Sequence, residues 1–182
     1  MHILLDANVL IQAPLRDTIL RAAERDLVRV RWTELILEEV QRNLVSAGLT
    51  DEHRAARLIA TLHLAFPRAQ VVGFEDRIPA MTNDPKDRHV LAAAIHAQVN
   101  ALVTLNLADF PESTVAAYGV RVVSPDALLS DLLTSFPAVI MRIITEQARD
   151  LIAPPISVED VIAELEQSAP AFARALRRQL RQ

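Results

Sequence analysis

The chain has 182 residues, a formal net charge of −4 and a hydrophobic content of 51% with only 4% aromatic residues, which excludes a disordered chain and favours a helix-rich aliphatic core. The lack of cysteine excludes disulfides, zinc–thiolate sites and a cysteine nucleophile. The sequence has no signal-peptide pattern and no apolar run of the roughly 20 residues that a membrane span needs, so we expect a cytoplasmic protein without a membrane partner.

Short apolar runs alternate with amphipathic stretches through most of the chain. The runs predict strands at residues 2–5, 28–32, 71–72, 101–105 and 121–123. The stretches between them predict helices at residues 9–25, 33–47, 51–66, from 84 onward and at 124–135. Pro14 weakens the continuity of the first of these helices, so its regular part is expected to begin near Pro14. This alternation is typical of a parallel β-sheet covered by helices and predicts the α/β fold class.

The last part of the chain, from Phe136 onward, carries no strand signal. Three helices are predicted there, at residues 138–152, 157–167 and 170–181. We therefore expect an α/β domain at residues 1–135 followed by a small all-helical extension at residues 136–182. The apolar stripe of the last helix is surrounded by arginines with no acid near them in the sequence, namely Arg174, Arg177, Arg178 and Arg181.

Several oxygen-bearing side chains lie where strands end or where helices meet the sheet. Asp6 follows the first strand, Asn106 and Asp109 follow the strand at 101–105, and Asp87 begins an alanine-rich inward helix. Glu39 flanks the apolar stripe of the helix at 33–47, whereas its neighbour Glu38 points away from that stripe. Because parallel strands end at one edge of a sheet, these groups can converge.

Clustered carboxylates repel one another unless they are protonated or bind cations. Oxygen ligands without His or Cys suit Mg²⁺ or Mn²⁺, and such sites commonly hydrolyse phosphate esters. Each residue also has a purely structural interpretation, as a strand end, a surface acid, a helix cap or an Asx turn. The two histidines of the alanine-rich helix, His89 and His96, have neither triad nor metal spacing and are expected to be structural or exposed.

Four segments, in this order, resemble the PIN-domain ribonucleases and in particular the VapC-type toxins of bacterial toxin–antitoxin pairs. They are HILLDANVLI at 2–11, ILEEVQRNL at 36–44, DPKDRHVLAAA at 84–94 and ALVTLNLADF at 101–110. The helical tail resembles the C-terminal extension of a subset of these toxins. The resemblance implies a PIN-like parallel sheet flanked by helices over residues 1–135.

The resemblance also implies roles for individual residues. Asp6 and Asp87 match the principal metal ligands, and Glu39 matches the acid from the second helix of the family pattern. Family members often carry a further acid where this chain has Asn106, so Asp109 is the nearest carboxylate that could replace it. The polar positions that orient the site in relatives are matched by Asn8 and Thr104.

The function implied is hydrolysis of RNA by a Mg²⁺- or Mn²⁺-dependent endoribonuclease, leaving a 5′-phosphate and a 3′-hydroxyl. As a type II toxin it would be held inactive by a cognate antitoxin and would form a homodimer. Its helical tail could bind a partner, pack on the domain or contact RNA through the arginines of the last helix. One alternative is a PIN-fold protein that binds RNA or a partner without cutting, which Asn106 favours. A haloacid dehalogenase-type phosphatase is a more distant alternative, because that class needs an Asp where Asn8 stands.

Overall fold

The computed structural model describes residues 1–150 and 155–181 of the chain. The strands are β1 (His2–Leu5), β2 (Arg29–Arg31), β3 (Ala101–Val103) and β4 (Arg121–Val123). The α-helices are α1 (Ala7–Ile11), α2 (Ala13–Glu24), α3 (Glu34–Ser46), α4 (Glu52–Ala65), α5 (Arg88–His96), α6 (Glu112–Val115), α7 (Pro125–Ser135), α8 (Pro137–Asp150), α9 (Val158–Glu166) and α10 (Pro170–Gln179). Short 3-10 helices occupy Glu75–Ala80, Pro85–Asp87, Leu107–Asp109 and Ala116–Tyr118.

The chain forms two compact units. The sheet unit consists of Met1–Ile11 and Val28–Val123, and the helical unit consists of Gln12–Leu27 and Ser124–Gln182. Helix α2 therefore belongs with the C-terminal helices, although α1 before it belongs to the sheet unit. The predicted boundary between an α/β domain and a helical extension, at residue 135, stays a prediction.

The sheet unit is built on four parallel strands in the order β2-β1-β3-β4. Ile3 of β1 lies opposite Ala101 of β3, which in turn lies opposite Arg121 of β4. All residues of β3 are buried, as its unbroken apolar sequence requires for a strand covered on both faces. The predicted α/β class, a parallel sheet flanked by helices, is confirmed. The carboxyl ends of β1 and β3 lie side by side, which positions the residues that follow them.

Two predicted features of the sheet unit differ from the structure. The segment at 71–72 forms no strand, and beside it Trp32 makes only an isolated parallel bridge with Gln70. The helix predicted from Asp84 begins instead as the 3-10 turn Pro85–Asp87, and α5 starts only at Arg88. Asp84 caps this turn, because its side chain accepts a hydrogen bond from the Lys86 N–H at 3.1 Å.

In the helical unit, α2 packs against α8 through a buried polar contact. Thr18 Oγ1 lies 2.9 Å from Gln147 Oε1, and Gln147 Nε2 donates to the Pro14 carbonyl at 3.0 Å. The helix predicted at 9–25 is broken at Gln12, whose extended backbone precedes the Ala13–Pro14 start of α2. Proline near a helix start is favoured because it needs no amide partner there, whereas it disrupts a helix interior.

The last helix, α10, is held by hydrogen bonds at its N-terminus and by Arg177. Asp126 accepts hydrogen bonds from the backbone N–H groups of Ala171 and Phe172 at 3.1 and 2.8 Å, which caps α10. Arg177 has no acid near it in the sequence, but the fold brings two acids to it, and it donates to Glu159 at 2.7 Å and Glu166 at 2.9 Å. RNA contact by the other arginines of α10 stays a prediction.

The predicted helix at 138–152 is observed as α8, and its last two predicted residues, 151 and 152, lie outside the described residues. Ser157 and Asp160 form the expected capping box at the start of α9. Within the described ranges no single helix is long and apolar enough to cross a membrane, and only the bent pair α7 and α8, with 119° between its helices, reaches that length and composition together.

Candidate functional site

Asp6 is the centre of the candidate site and follows β1 directly. Its side chain is only 4% exposed, and its backbone N–H continues the sheet by donating to the Val103 carbonyl at 3.0 Å. Asp6 Oδ1 accepts from the Ala7 N–H at 2.7 Å, while Oδ2 accepts from Asn8 Nδ2 and from Thr104 Oγ1, each at 2.7 Å. A carboxylate with both oxygens held in this way has one fixed orientation.

Thr104 and Asn8 form the network that orients Asp6. Thr104 is fully buried after β3, and its hydroxyl accepts from Asn8 Nδ2 and from the Asn106 N–H, each at 3.0 Å. Asn8 Oδ1 in turn accepts from the Leu105 N–H at 3.0 Å. The ends of β1 and β3 are therefore joined by side chains as well as by the sheet, and the two residues predicted to orient the site lie together.

Electrostatics link Asp6 to the other acids. Burial raises the pKa of Asp6 above its usual value, against the hydrogen bonds from Thr104 and Ala7, and the negative charge of Glu39 raises it further. Burial, followed by the charges of Asp6 and Asp109, raises the pKa of the half-buried Asp87 to about 7. The four acids predicted as catalytic thus share one negative field.

The two acids on the 3-10 turns are also connected through the backbone. The Asp84 N–H donates to the Asp109 carbonyl at 3.4 Å, and the Asp87 N–H donates to the Asp84 carbonyl at 3.0 Å. These bonds hold the loop that carries Asp87 beside the turn that carries Asp109. Asn106, the residue at the family's acidic position, is exposed, and its amide side chain has no hydrogen-bond partner among the described residues.

Glu39 approaches the site from α3 and meets a histidine that sequence reasoning set aside. Its Oε1 accepts from Asn43 Nδ2 at 3.5 Å, and its Oε2 lies 4.0 Å from His89 Nε2. The His89 side chain is 17% exposed and its Nδ1 is buried without a partner in the described structure. Burial lowers the pKa of His89 although the charge of Asp6 opposes the shift, which favours the uncharged imidazole. As expected, Glu38 is exposed.

His89 was missed because its distance along the chain from any acid other than Asp87 gives no motif. A signal did exist in the helical pattern, since His89 is adjacent to the buried run from Val90 and two residues after Asp87. Asn83 is a second polar residue without a predicted role: it is 3% exposed, and neither side-chain amide atom has a hydrogen-bond partner in the described structure. Buried amides of this kind are normally satisfied by water or a ligand.

The donor set fits a hard divalent cation by its chemistry. The ligands available are carboxylate oxygens. Burial chiefly raises the pKa values of Asp6 and Asp87, and the charges of neighbouring acids add to it; a bound cation would offset both effects. Across residues 1–150 and 155–181, however, no three Asp, Glu or His side chains are close enough to form a ready-made metal site. Asp6 is fixed by its hydrogen bonds, so convergence on a cation would require the Asp87 and Asp109 turns to adjust.

Comparison with known proteins places this site in a family. The family model of the PIN domain matches residues 2–108, and the model of the VapC50 C-terminal domain matches residues 125–178. The chain belongs to the PIN-domain family. It is similar to the protein named "Putative ribonuclease VapC50" of Mycobacterium tuberculosis (strain ATCC 25618 / H37Rv), with 35% identity over 106 residues.

That similarity covers 58% of this chain and 63% of the relative, so the match spans somewhat under two thirds of the relative's length. No solved structure matches the chain significantly. The family assignment confirms the resemblance seen in the four sequence segments. It also confirms that the C-terminal helices correspond to an extension found in VapC relatives.

Proposed function

We propose that this protein is a divalent-cation-dependent endoribonuclease that hydrolyses RNA phosphodiesters and acts as the toxin of a type II toxin–antitoxin system. The observation that carries the proposal is the buried Asp6, oriented by Thr104 and Asn8 and electrostatically linked to Asp87. The PIN-domain match and the ribonuclease named among its relatives support the same activity. RNA as substrate and a cognate antitoxin as partner are consistent with the cytoplasmic location expected from the sequence.

Asp6 and Asp87 would hold the cation, which is Mg²⁺ or Mn²⁺ in this proposal. When bound, that cation would polarise the phosphoryl oxygens and lower the pKa of a water molecule. The side chains supply the rest. Thr104 and Asn8 keep Asp6 oriented. Glu39 borders the cluster from α3 and is positioned to accept a proton from the attacking water, since the lowered pKa of the neighbouring His89 disfavours an ion pair that would hold its carboxylate.

The other predicted residues have smaller roles in this proposal. Asp109 adds negative charge beside Asp87 and replaces the acid that is missing at Asn106. Asn106 presents an exposed amide to substrate beyond the end of β3. The proposed partners are RNA, a cognate antitoxin and a second copy of this chain.

Cleavage of a structured RNA tests the activity. Wild type should cleave with Mg²⁺ or Mn²⁺ and stop with EDTA, and Asp6→Asn or Asp87→Asn should lose about 100-fold or more of the rate, since each removes charge stabilisation at the reacting group. Glu112→Gln, which neutralises an exposed acid of α6, is the matched control and should cleave normally. Equal cleavage by wild type and Asp6→Asn would refute the assignment.

A binding protein without nuclease activity is the second candidate, favoured by Asn106 at the acidic position and by the acids not being poised at ligand distance in the described residues. RNA binding that is unchanged by EDTA, together with no cleavage under any divalent cation, would support it. For the toxin role, induced expression should arrest growth only when the neighbouring gene is absent. Growth that is indifferent to expression would argue for housekeeping RNA processing instead.

A further inference from the structure

An open depression of about 880 Å³ lies at the edge of the sheet where the strands begin. Met1 precedes β1, Asn100 precedes β3 and Arg121 begins β4, and all three line the depression. The candidate acidic site follows the opposite ends of β1 and β3. From Met1 to Asp6 the chain spans about 17 Å at about 3.3 Å per residue, so the depression is separate from that site.

The lining of the depression is basic. It includes Arg77, Arg121 and His96, and none of its residues, all of which the structure describes, is Asp or Glu. This is notable in a chain with 23 acidic and 19 basic residues. Arg121 makes a weak hydrogen bond to the sulfur of Met1, at 3.7 Å, and in the described ranges no carboxylate pairs with either arginine. Two guanidinium groups in a concavity without counter-ions are suited to an anion, because each can donate two hydrogen bonds to a phosphate.

The positive field extends along the same edge of the sheet. Burial and then the charges of Arg31 and Arg29, both on β2, lower the pKa of His2 at the start of β1. Glu75 and Asp76, which precede Arg77 on its 3-10 helix, do not line the depression. The edge therefore offers an extended cationic surface and not a single charge.

An aromatic ring and an amide lie beside these cations. Tyr118 lines the depression and is 44% exposed, so its ring is accessible from solvent. Asn100 Oδ1 accepts from the His2 N–H at 2.7 Å, so the Asn100 amide is fixed while its Nδ2 remains a donor. A ring for stacking, guanidinium groups for phosphate and an amide for a base edge are the components that proteins use to hold single-stranded RNA.

We propose that this depression binds a single-stranded segment of the RNA substrate, away from the bond that is cut; the inference rests on the proposed function. An acidic peptide would use the arginines but would gain nothing from the exposed ring, which is why RNA is the favoured occupant. A strand whose bases are stacked at about 3.4 Å per nucleotide needs about five nucleotides to bridge the distance of about 17 Å between the two sites. An RNA of about 3 nucleotides is therefore too short to reach both sites at once.

RNA binding by the full-length Asp87→Asn protein in EDTA tests the proposal, with labelled RNAs of about 3 and about 12 nucleotides over a range of salt concentrations. The test variant adds Arg77→Gln and Arg121→Gln. Its matched control adds Arg54→Gln and Arg57→Gln, which remove the same charge from the exposed face of α4. Each phosphate contact contributes about 0.7 to the salt slope, so the test variant should lose about 1.4 and bind the long RNA roughly 20-fold more weakly at 0.1 M salt.

A third variant, Tyr118→Leu, separates stacking from charge. It should weaken binding of the long RNA by about tenfold and leave the salt slope unchanged, because the ring contributes through base stacking and not through phosphate contacts. The short RNA is long enough to occupy the depression, so the same substitutions should weaken its binding as well. Circular dichroism should confirm that the variants are folded, as expected for exposed positions.

The outcomes separate this inference from the proposed function. Equal affinities and salt slopes for the test variant and its control overturn the inference alone, while nuclease activity of the wild type keeps the proposed function. Suppose that the long RNA binds only at the acidic site, and that the depression binds 5′-AMP tightly but loses this binding in the test variant. The depression would then be a site for a free nucleotide, and the inference of an RNA segment would be overturned. If the test variant loses binding of an acidic peptide but not of RNA, the inference is overturned as well. If the Asp87→Asn protein binds no RNA and the wild type cleaves none, both proposals fall.

Discussion

The two edges of one four-stranded sheet carry opposite charge, and the charged groups of the two edges differ in how far they are buried. At the carboxyl edge Asp6 is 4% exposed and Asp87 is half-buried, so both pKa values are raised by lost hydration. At the amino edge the arginines are exposed, and guanidinium groups keep their charge in any such setting. The acidic edge therefore holds destabilising charge that a bound cation would relieve, whereas the basic edge holds hydrated charge that salt screens.

The largest expected effect at the acidic edge compares two neighbouring glutamates. Glu39→Gln should lower the rate of RNA cleavage by about 100-fold, since it removes a general base while keeping the side-chain shape. Glu38→Gln removes the same charge one residue away on the exposed face of α3 and should leave the rate within about twofold. Rates measured under single-turnover conditions check this. Equal losses in the two variants would mean that only the net charge of α3 matters.

The next effect concerns cation binding to the folded protein. Mg²⁺ or Mn²⁺ at about 100 times its dissociation constant should stabilise the wild type by about 2.7 kcal/mol, because the native state gains a ligand that the unfolded state lacks. Asp87→Asn should lose most of this gain, while Arg77→Gln at the opposite edge should keep it. Thermal unfolding with and without the cation measures both. A gain that survives in Asp87→Asn would exclude Asp87 as a ligand.

Without a cation, the raised pKa of Asp87, caused by burial and by the charges of Asp6 and Asp109, should have a measurable effect on stability. Its pKa is about 7 in the folded protein and near 3.8 unfolded, so the folded state binds the proton more tightly. The stability from this group is fully present below about pH 4 and is lost as the pH rises through 7. In EDTA at pH 8, Asp87→Asn should be more stable than wild type by about 1–2 kcal/mol, a range reduced from the full shift because the side chain is only half-buried. At pH 4 the two should unfold at nearly the same temperature, and a difference that grows toward low pH would contradict the assignment.

The sequence predicted the acidic edge far better than the basic one, for physical reasons. Strands that are buried on both faces are unbroken apolar runs, and a carboxylate at the end of such a run, as at Asp6, is visible in one dimension. The residues of the depression come from separate elements: Arg77 and Tyr118 from two 3-10 helices, His96 from the end of α5, and Arg121 from the start of β4. Only the strand register brings them to one depression.

Element boundaries illustrate the same limit within the acidic site. Asp84, Pro85 and Asp87 predicted a helix start, and the local chemistry was right, but the turn became a 3-10 helix before α5. The reason is tertiary: the Asp84 N–H is bound to the Asp109 carbonyl, which ties this turn to another one. His89 was likewise invisible as a partner of Glu39, because the contact joins α5 to α3.

The smallest effect compares one histidine at each edge. Arg31→Gln should raise the pKa of His2, because the charge of Arg31 helps to lower it. Asp6→Asn should lower the pKa of His89 further, because the charge of Asp6 opposes the effect of burial there. NMR titration of the imidazole resonances in EDTA measures both shifts, and each variant serves as the control for the other histidine, which should not move. If neither imidazole shifts, burial alone sets these pKa values; shifts of the same sign would mean that the two edges of the sheet do not carry opposite fields.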